Sequence, residues 1–216
     1  MPRPRQNILS ARKIARAALT MTEREQDFTI PGIAKALGVN PSSLYHHVPG
    51  GRQEIIALMR RELYSAIDPD LLADRSRPWQ ERLAAWIREF RDASASVPGS
   101  IPLFVRAPVD DDATLQIYED LFGILRDGGV PADRWPAAAA MLDAIVLGSA
   151  LDESSPLPLW RPPGTDGYAL IRSVTETAER PREGLELALQ AAVAAVAALA
   201  EDAGDAPGAD QLPRSA

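Results

Sequence analysis

Apolar residues in this chain recur three and four positions apart, and no segment alternates over six residues with β-branched enrichment, so the pattern predicts helices throughout. A first helix, capped by Ser10 and running to about Arg24, puts Ile14, Ala15, Ala18, Leu19 and Met21 on one face. Thr29 can cap a second, with Ile30, Ile33, Ala34 and Leu37 inward. Gly38 supplies a left-handed residue to end it, and Asn40 followed by Pro41 is an N-cap with a first-turn proline. The third helix is short and stops at Val48, ahead of Pro49, Gly50 and Gly51. A fourth starts at about Arg52 and rests on Ile55, Ile56, Met59 and Leu63.

The segment Asp68 to Pro78 reads as a bend or linker. Beyond it, Trp79, Leu83, Trp86 and Phe90 share one helix face. Another helix is predicted from Asp111 to Asp127, ended by Gly128 and Gly129; Asp110, Asp111 and Asp112 at its start suit the helix dipole, a simpler account than a metal or catalytic cluster. A helix from Ala132 to Asp152 leads into the proline-rich loop ESSPLPLWRPPGTDG. Helices from Tyr168 to Ala178 and Arg182 to Glu201 follow, and the tail from 204 to 216 is expected to be disordered.

A chain of 216 residues that is 46% hydrophobic can fill one or two domain cores. The absence of cysteine excludes a disulfide framework, a thiolate zinc site and a cysteine nucleophile. Arg12, Lys13 and Arg16 interrupt the only stretch resembling a secretion signal, and no window reads as an apolar span of about 20 residues, so a cytoplasmic protein without a membrane partner is expected. Charge changes the picture further. The net charge of -7 hides a split, because residues 1–64 hold ten Lys or Arg against five Asp or Glu, while residues 65–216 hold 13 against 25. A phosphate backbone would attract the first segment and repel the second.

Two short helices joined by a glycine turn, the second one exposing small polar and aromatic residues, form a helix-turn-helix whose second helix can enter a DNA major groove. Pro41, Ser42 and Ser43 allow close approach to base edges, and Tyr45, His46 and His47 reach toward phosphate oxygens. Leu44 and Val48 face inward, and His47 can also support the turn. Other chemistry fits the histidines less well. Adjacent histidines point about 100° apart on a helix, and with no cysteine and no third histidine no metal site is expected. Ser43 and His47 are spaced as a nucleophile and base, but no oxyanion-hole motif surrounds them, so no catalytic residue is assigned.

The stretch FTIPGIAKALGVNPSSLYHHV resembles the DNA-binding signature of the tetracycline-repressor (TetR) family of transcription regulators, through Phe28, Thr29, Ile33, Ala34, Leu37, Gly38, Val39, Leu44, Tyr45 and His47. The resemblance implies an all-α protein with an N-terminal helix-turn-helix domain at residues 1–51 and a helical effector-binding and dimerisation domain at 52–203. It implies DNA contacts at Thr29, Asn40, Pro41, Ser42, Ser43, Tyr45, His46 and His47. Where the family usually places a phosphate-contacting lysine, this chain has PGGR. One extra turn residue aligns Arg52 with that lysine and Ile55 and Ile56 with the usual apolar pair, keeping the buried face apolar. Pro31 replaces a residue that often helps read DNA, which shifts base reading toward the third helix.

An effector pocket implied by the family would draw on the aromatic residues Trp86, Phe90, Phe104, Tyr118 and Phe122, for which core packing is the alternative. With no histidine in this domain, a magnesium–tetracycline site is not expected, and an apolar or aromatic effector fits better. No cofactor is expected. The apolar helix LELALQAAVAAVAALA presents Leu185, Leu189, Val193 and Val196, which together with Leu142 and Val146 form either a four-helix homodimer interface or a face buried within one subunit. The expected function is a homodimeric repressor on a palindromic operator, released by its effector. An effector-independent DNA binder and, on Asp152 and Glu153, a helical enzyme are the alternatives. The loop holding Pro156, Pro158, Trp160 and Pro162 either covers the pocket or connects helices in solvent.

Overall fold

The computed structural model describes residues 9–155, 160–162, 167–175 and 183–204, and every element among them is helical. Helix α1 (Ala11–Glu25) is capped by Ser10, whose hydroxyl accepts from the Lys13 amide at 3.3 Å. Helices α2 (Ile30–Leu37) and α3 (Pro41–His47) are capped by Thr29 and Asn40 and each carries proline in its first turn, as their sequences require. Gly38 adopts φ 67° between them, a conformation open to glycine at little steric cost. Helix α4 (Gly51–Tyr64) begins one residue before the expected start and buries Ile55, Ile56, Met59 and Leu63.

The expected linker contains a short helix, α5 (Pro69–Ala73), capped by Asp68 and seated on Leu72. Helix α6 (Trp79–Ala95) is the central element of the C-terminal part: it packs on α9, α8, α11, α5 and α4. A 3-10 turn (Pro98–Ser100) and α7 (Ile101–Phe104) follow, neither of them anticipated, because their apolar stretch is too short to show a period. Helix α8 (Asp112–Asp127) starts from Asp111, which caps it and accepts from the Thr114 amide at 3.0 Å and hydroxyl at 2.8 Å. A second 3-10 turn leads into α9 (Trp135–Glu153), and α10 (Ala169–Thr175) and α11 (Glu183–Gly204) complete the described chain. The predicted start of the last helix at Arg182, the loop residues Pro156 and Pro158, and the tail from 205 lie outside the described residues.

Two expectations change here. Among the described residues, two helices are long and apolar enough to cross a membrane, Ala132–Glu153 and Gly184–Glu201, with 28% and 17% of their apolar windows buried. Both nevertheless pack on α6, and α9 carries Asp143 in its middle, so each has one face in a protein core. The second correction concerns the interface residues. Leu142, Val146, Leu189 and Val196 are buried within the single chain, and Leu185 and Val193 are partly buried against the same core. Helices apolar on nearly every side show no stripe that tells their inner face from their outer one. The faces left exposed are Ala140, Ala144, Gly148 and Leu151 on α9, and Leu187, Ala191, Ala194 and Ala198 on α11.

Candidate nucleic-acid interface and effector core

The surface of α3 rests on a small, fully buried core. Phe28, Ile33, Ala34, Leu44 and Val48 are at most 1% exposed, and Ile14, Ala18 and Ile55 close the cluster from α1 and α4. Burying Leu44 and Val48 turns the remaining positions outward: Pro41, Ser42, Ser43, Tyr45, His46 and His47 are all exposed, with Tyr45 52% accessible despite its size. His47 is therefore not packed into the turn. Asn40 and Thr29 are at the surface too, but their side-chain oxygens already accept from the Ser42 amide at 2.9 Å and the Gly32 amide at 3.1 Å. They fix the starts of α3 and α2 and so aim the exposed row.

The turn after α3 fixes the position of Arg52. Gly51 takes φ 60°, and Ile55 and Ile56 are buried while Glu54 stays at the surface, its carboxylate accepting from the Gly50 amide at 2.8 Å. Arg52 is one residue into α4, as the apolar pattern required. Its guanidinium, however, faces back to the α1–α2 loop, donating to the Phe28 carbonyl at 2.9 Å and to Asp27 at 2.5 Å, and lying 4.4 Å from the centre of the Phe28 ring. That hydrogen bond from Arg52 holds the Asp27 carboxyl below its ordinary range, with burial opposing and the Phe28 amide assisting. On the other side of α1, Glu62 of α4 receives Arg16 at 2.6 Å and Arg12 at 3.1 Å. Burial pushes the Glu62 carboxyl up, and the two arginines outweigh it, leaving it below the usual value. Thus α1 is clamped to α4.

Further along α4, Arg60 is buried, donating to the carbonyls of Ala107 at 2.8 Å, Pro108 at 2.7 Å and Phe104, and standing 3.7 Å from Asp111. A cation on the Ile56–Met59–Leu63 stripe was a visible signal of such a contact. Asp27 carried none, since its partner is 25 residues away.

The five aromatic candidates of the C-terminal part are brought together, but as packed core. Trp86, Phe90 and Phe104 are 0%, 3% and 6% exposed, and Tyr118 and Phe122 are partly buried. Ring contacts run from Tyr64 through Phe90 (5.1 Å), Trp86 (5.2 Å from Phe90) and Tyr118 (6.3 Å from Phe90) to Phe122 and Trp135, which stack at 5.6 Å. Phe122 lines a polar cleft of about 270 Å³ shared with Arg75, Arg82, Glu119, Asp120, Arg126 and Trp135. Tyr64 and Asp143 join the cluster without having been anticipated, although an acid inside the apolar run AAAAMLDAIVLGSA was conspicuous. The Tyr118 hydroxyl donates to Asp143 Oδ2 at 2.8 Å. Burial raises Tyr64 to about 12, and burial, followed by the neighbouring Asp143 charge, raises Tyr118 further. Among the described residues, no group of three or more His, Asp or Glu is placed to hold a metal ion.

An exposed α3 on a three-helix core is joined by α4 to a larger helical body with an aromatic centre. The sequence family "Tetracyclin repressor-like, C-terminal domain" matches residues 73–200, and the chain belongs to the TetR family of transcriptional regulators. None of the curated proteins matches it in sequence. Among solved structures, BioQ of Mycobacterium smegmatis is 22% identical over 89% of this chain and 99% of its own, with a TM-score of 0.68. BioQ with its natural double-stranded DNA operator covers 88% of this chain and 99% of its own at 22% identity and a TM-score of 0.63. ActR of Streptomyces coelicolor in complex with (S)-DNPA is 20% identical over 88% of this chain and 98% of its own, with a TM-score of 0.69. At these identities the likeness establishes the fold.

Proposed function

We propose that two copies of this chain bind a palindromic operator through α3 and release it when a small effector occupies the C-terminal body, making the protein a ligand-responsive repressor. The observation that carries this reading is the exposed row from Pro41 to His47, held over a fully buried Leu44 and Val48 by two side-chain caps. Residues 1–51 form the DNA-binding unit and 52–203 the effector and dimer unit, with α4 belonging to the second while packing on α1. Ser42 and Ser43 face bases; Tyr45, His46 and His47 face phosphates. The setting is the cytoplasm, where the DNA is.

The dimer follows from the uncovered apolar surface. Small side chains on the exposed faces of α9 and α11 permit close helix contact, and two such pairs make a four-helix interface. Half-sites then lie roughly 34–36 Å apart or at a multiple of that distance. An effector that shifts occupancy almost completely must prefer the released state by about 10⁴-fold. The DNA-bound structure of BioQ and the ligand-bound structure of ActR support both halves of the reading.

Two substitutions test the DNA contacts. Tyr45→Ala removes an exposed phenol and should weaken operator binding by about 0.5–1.5 kcal/mol per half-site while leaving the melting curve unchanged. Unchanged affinity at moderate salt would remove Tyr45 from the interface. Asp27→Asn should strengthen binding, because the Asp27 carboxylate occupies the guanidinium that would otherwise meet a phosphate. Fluorescence anisotropy across a salt series should show a slope steeper by about 1 per protomer. If the variant binds more weakly, Asp27 instead aims Arg52 at the DNA.

The packed state of Trp86, Phe90 and Phe104 favours a second reading, an operator binder without an effector. A chemically diverse compound panel separates the two: release of the bound duplex by any class of compound supports the repressor, and indifference to all of them supports the second reading.

A further inference from the structure

Two acidic groups of the C-terminal body have a buried oxygen without a hydrogen bond: Asp111, whose Oδ2 faces the Arg60 guanidinium at 3.7 Å, and Asp143. Asp143 projects from α9 into the aromatic cluster, where its Oδ2 accepts from Tyr118 while its Oδ1 is buried and has no hydrogen-bond partner. Buried carboxylate oxygens without a donor are rare, since the desolvation cost of each falls on the fold, and they call for an occupant. The surrounding rings limit what that occupant is. Tyr118, whose hydroxyl meets the carboxylate, lies 6.3 Å from Phe90, which in turn lies 5.2 Å from Trp86 and 5.1 Å from Tyr64, so the carboxylate sits beside an aromatic cluster whose rings meet edge to face. Aromatic faces attract cations, and a desolvated carboxylate attracts them more strongly. Arg60, a buried cation of α4, is already matched by Asp111 and three carbonyls, and the hydrogen bond from Tyr118 to Oδ2 does not reach Oδ1.

We infer that the effector of this protein is an aromatic or apolar molecule bearing a positively charged nitrogen, with Asp143 accepting its N–H and Trp86, Phe90 and Tyr118 packing around its body. Tyr118 holds the carboxylate by Oδ2 and leaves Oδ1 to the ligand. The acidic balance of residues 65–216 raises the local concentration of cations around this body. Binding parts Tyr118 and Phe122, which with Trp135 are the partly buried rings of the cluster. This inference rests on the ligand-responsive reading and adds the charge of the ligand to it.

The test uses three matched probes with full-length protein: 2-(2-naphthyl)ethylamine as its ammonium salt, the corresponding alcohol, and 2-naphthylacetate. Binding is read by calorimetry and by quenching of tryptophan fluorescence. Wild type should bind the ammonium probe at least tenfold more tightly than the alcohol and should reject the carboxylate. Asp143→Asn, which keeps the shape of the side chain, should abolish that preference. Tyr118→Phe serves if the first variant does not fold; it leaves the carboxylate without a protein donor and should keep or increase the preference. Equal binding of the ammonium and alcohol probes, a preference that survives Asp143→Asn, or no binding of any probe overturns the inference, and Oδ1 is then satisfied by a structural water. The ligand-responsive reading fails separately, only if no compound of the diverse panel releases the duplex.

Discussion

Arg60→Ala should destabilise the fold by about 3–5 kcal/mol, the range for removing one partner of a buried ion pair. Arg60 is 2% exposed, and its guanidinium holds the carbonyls of Phe104, Ala107 and Pro108 together with Asp111. Without it, Asp111 stays buried with Thr114 as its donor, its Oδ2 faces no counter-charge, and the carbonyls of Ala107 and Pro108 lose this donor while that of Phe104 keeps only the Ala107 amide. The Phe104 ring, 5.4 Å from the guanidinium, loses a cation as well. Lysine cannot restore this arrangement, because a single ammonium lacks the planar fork that reaches several carbonyls at once, so Arg60→Lys should recover only part of the loss. Urea denaturation at fixed protomer concentration reads the effect. A change below about 1 kcal/mol would place Arg60 among solvated surface pairs. The contact also has a mechanical consequence: α4, which is clamped to α1 by Glu62, is tied at Arg60 to the turn between α7 and α8, so any shift of that turn reaches the DNA-reading end through α4.

Charging the exposed faces of α9 and α11 should have the largest effect on function. Ala144→Glu with Ala191→Glu puts four carboxylates at the proposed two-fold interface, two from each copy, without touching the core of the single chain, where Leu142, Val146, Leu189 and Val196 are already covered. The double variant should remain folded, sediment as a monomer, and bind the operator about 10²–10⁴-fold more weakly, since each half-site is then engaged without its tethered partner. A variant that remains dimeric would mean that the copies associate through another surface.

Much of the fold was legible because its signals are local. Ser10, Thr29 and Asn40 cap helices through atoms two or three residues away, and Gly38 ends α2 by its own backbone, so each needs only its neighbours to be read. The pair Asp68 and Pro69 carried the same signature as Asn40 and Pro41 and was read as linker, because five residues of helix are too few to show an apolar period. The aspartates at the start of α8 suited the helix dipole, yet Asp111 also serves Arg60, a partner that becomes a neighbour only after folding. Asp27 and Arg52 are hidden in the same way. The inner faces of α9 and α11 were illegible for a different reason: alanine, leucine and valine occur on all sides, and only the position of α6 decides which side is buried.

Sequence-specific binding by a dimer is tested most directly by selecting operators from random duplex DNA with full-length protein and measuring binding of the enriched sequence by anisotropy. The enriched sequence should be a palindrome bound by two protomers, at least about 10³-fold tighter than random duplex at the same salt, with that preference reduced by Ser42→Ala and Ser43→Ala. Failure to enrich any sequence, or binding of equal strength to random duplex, would contradict it.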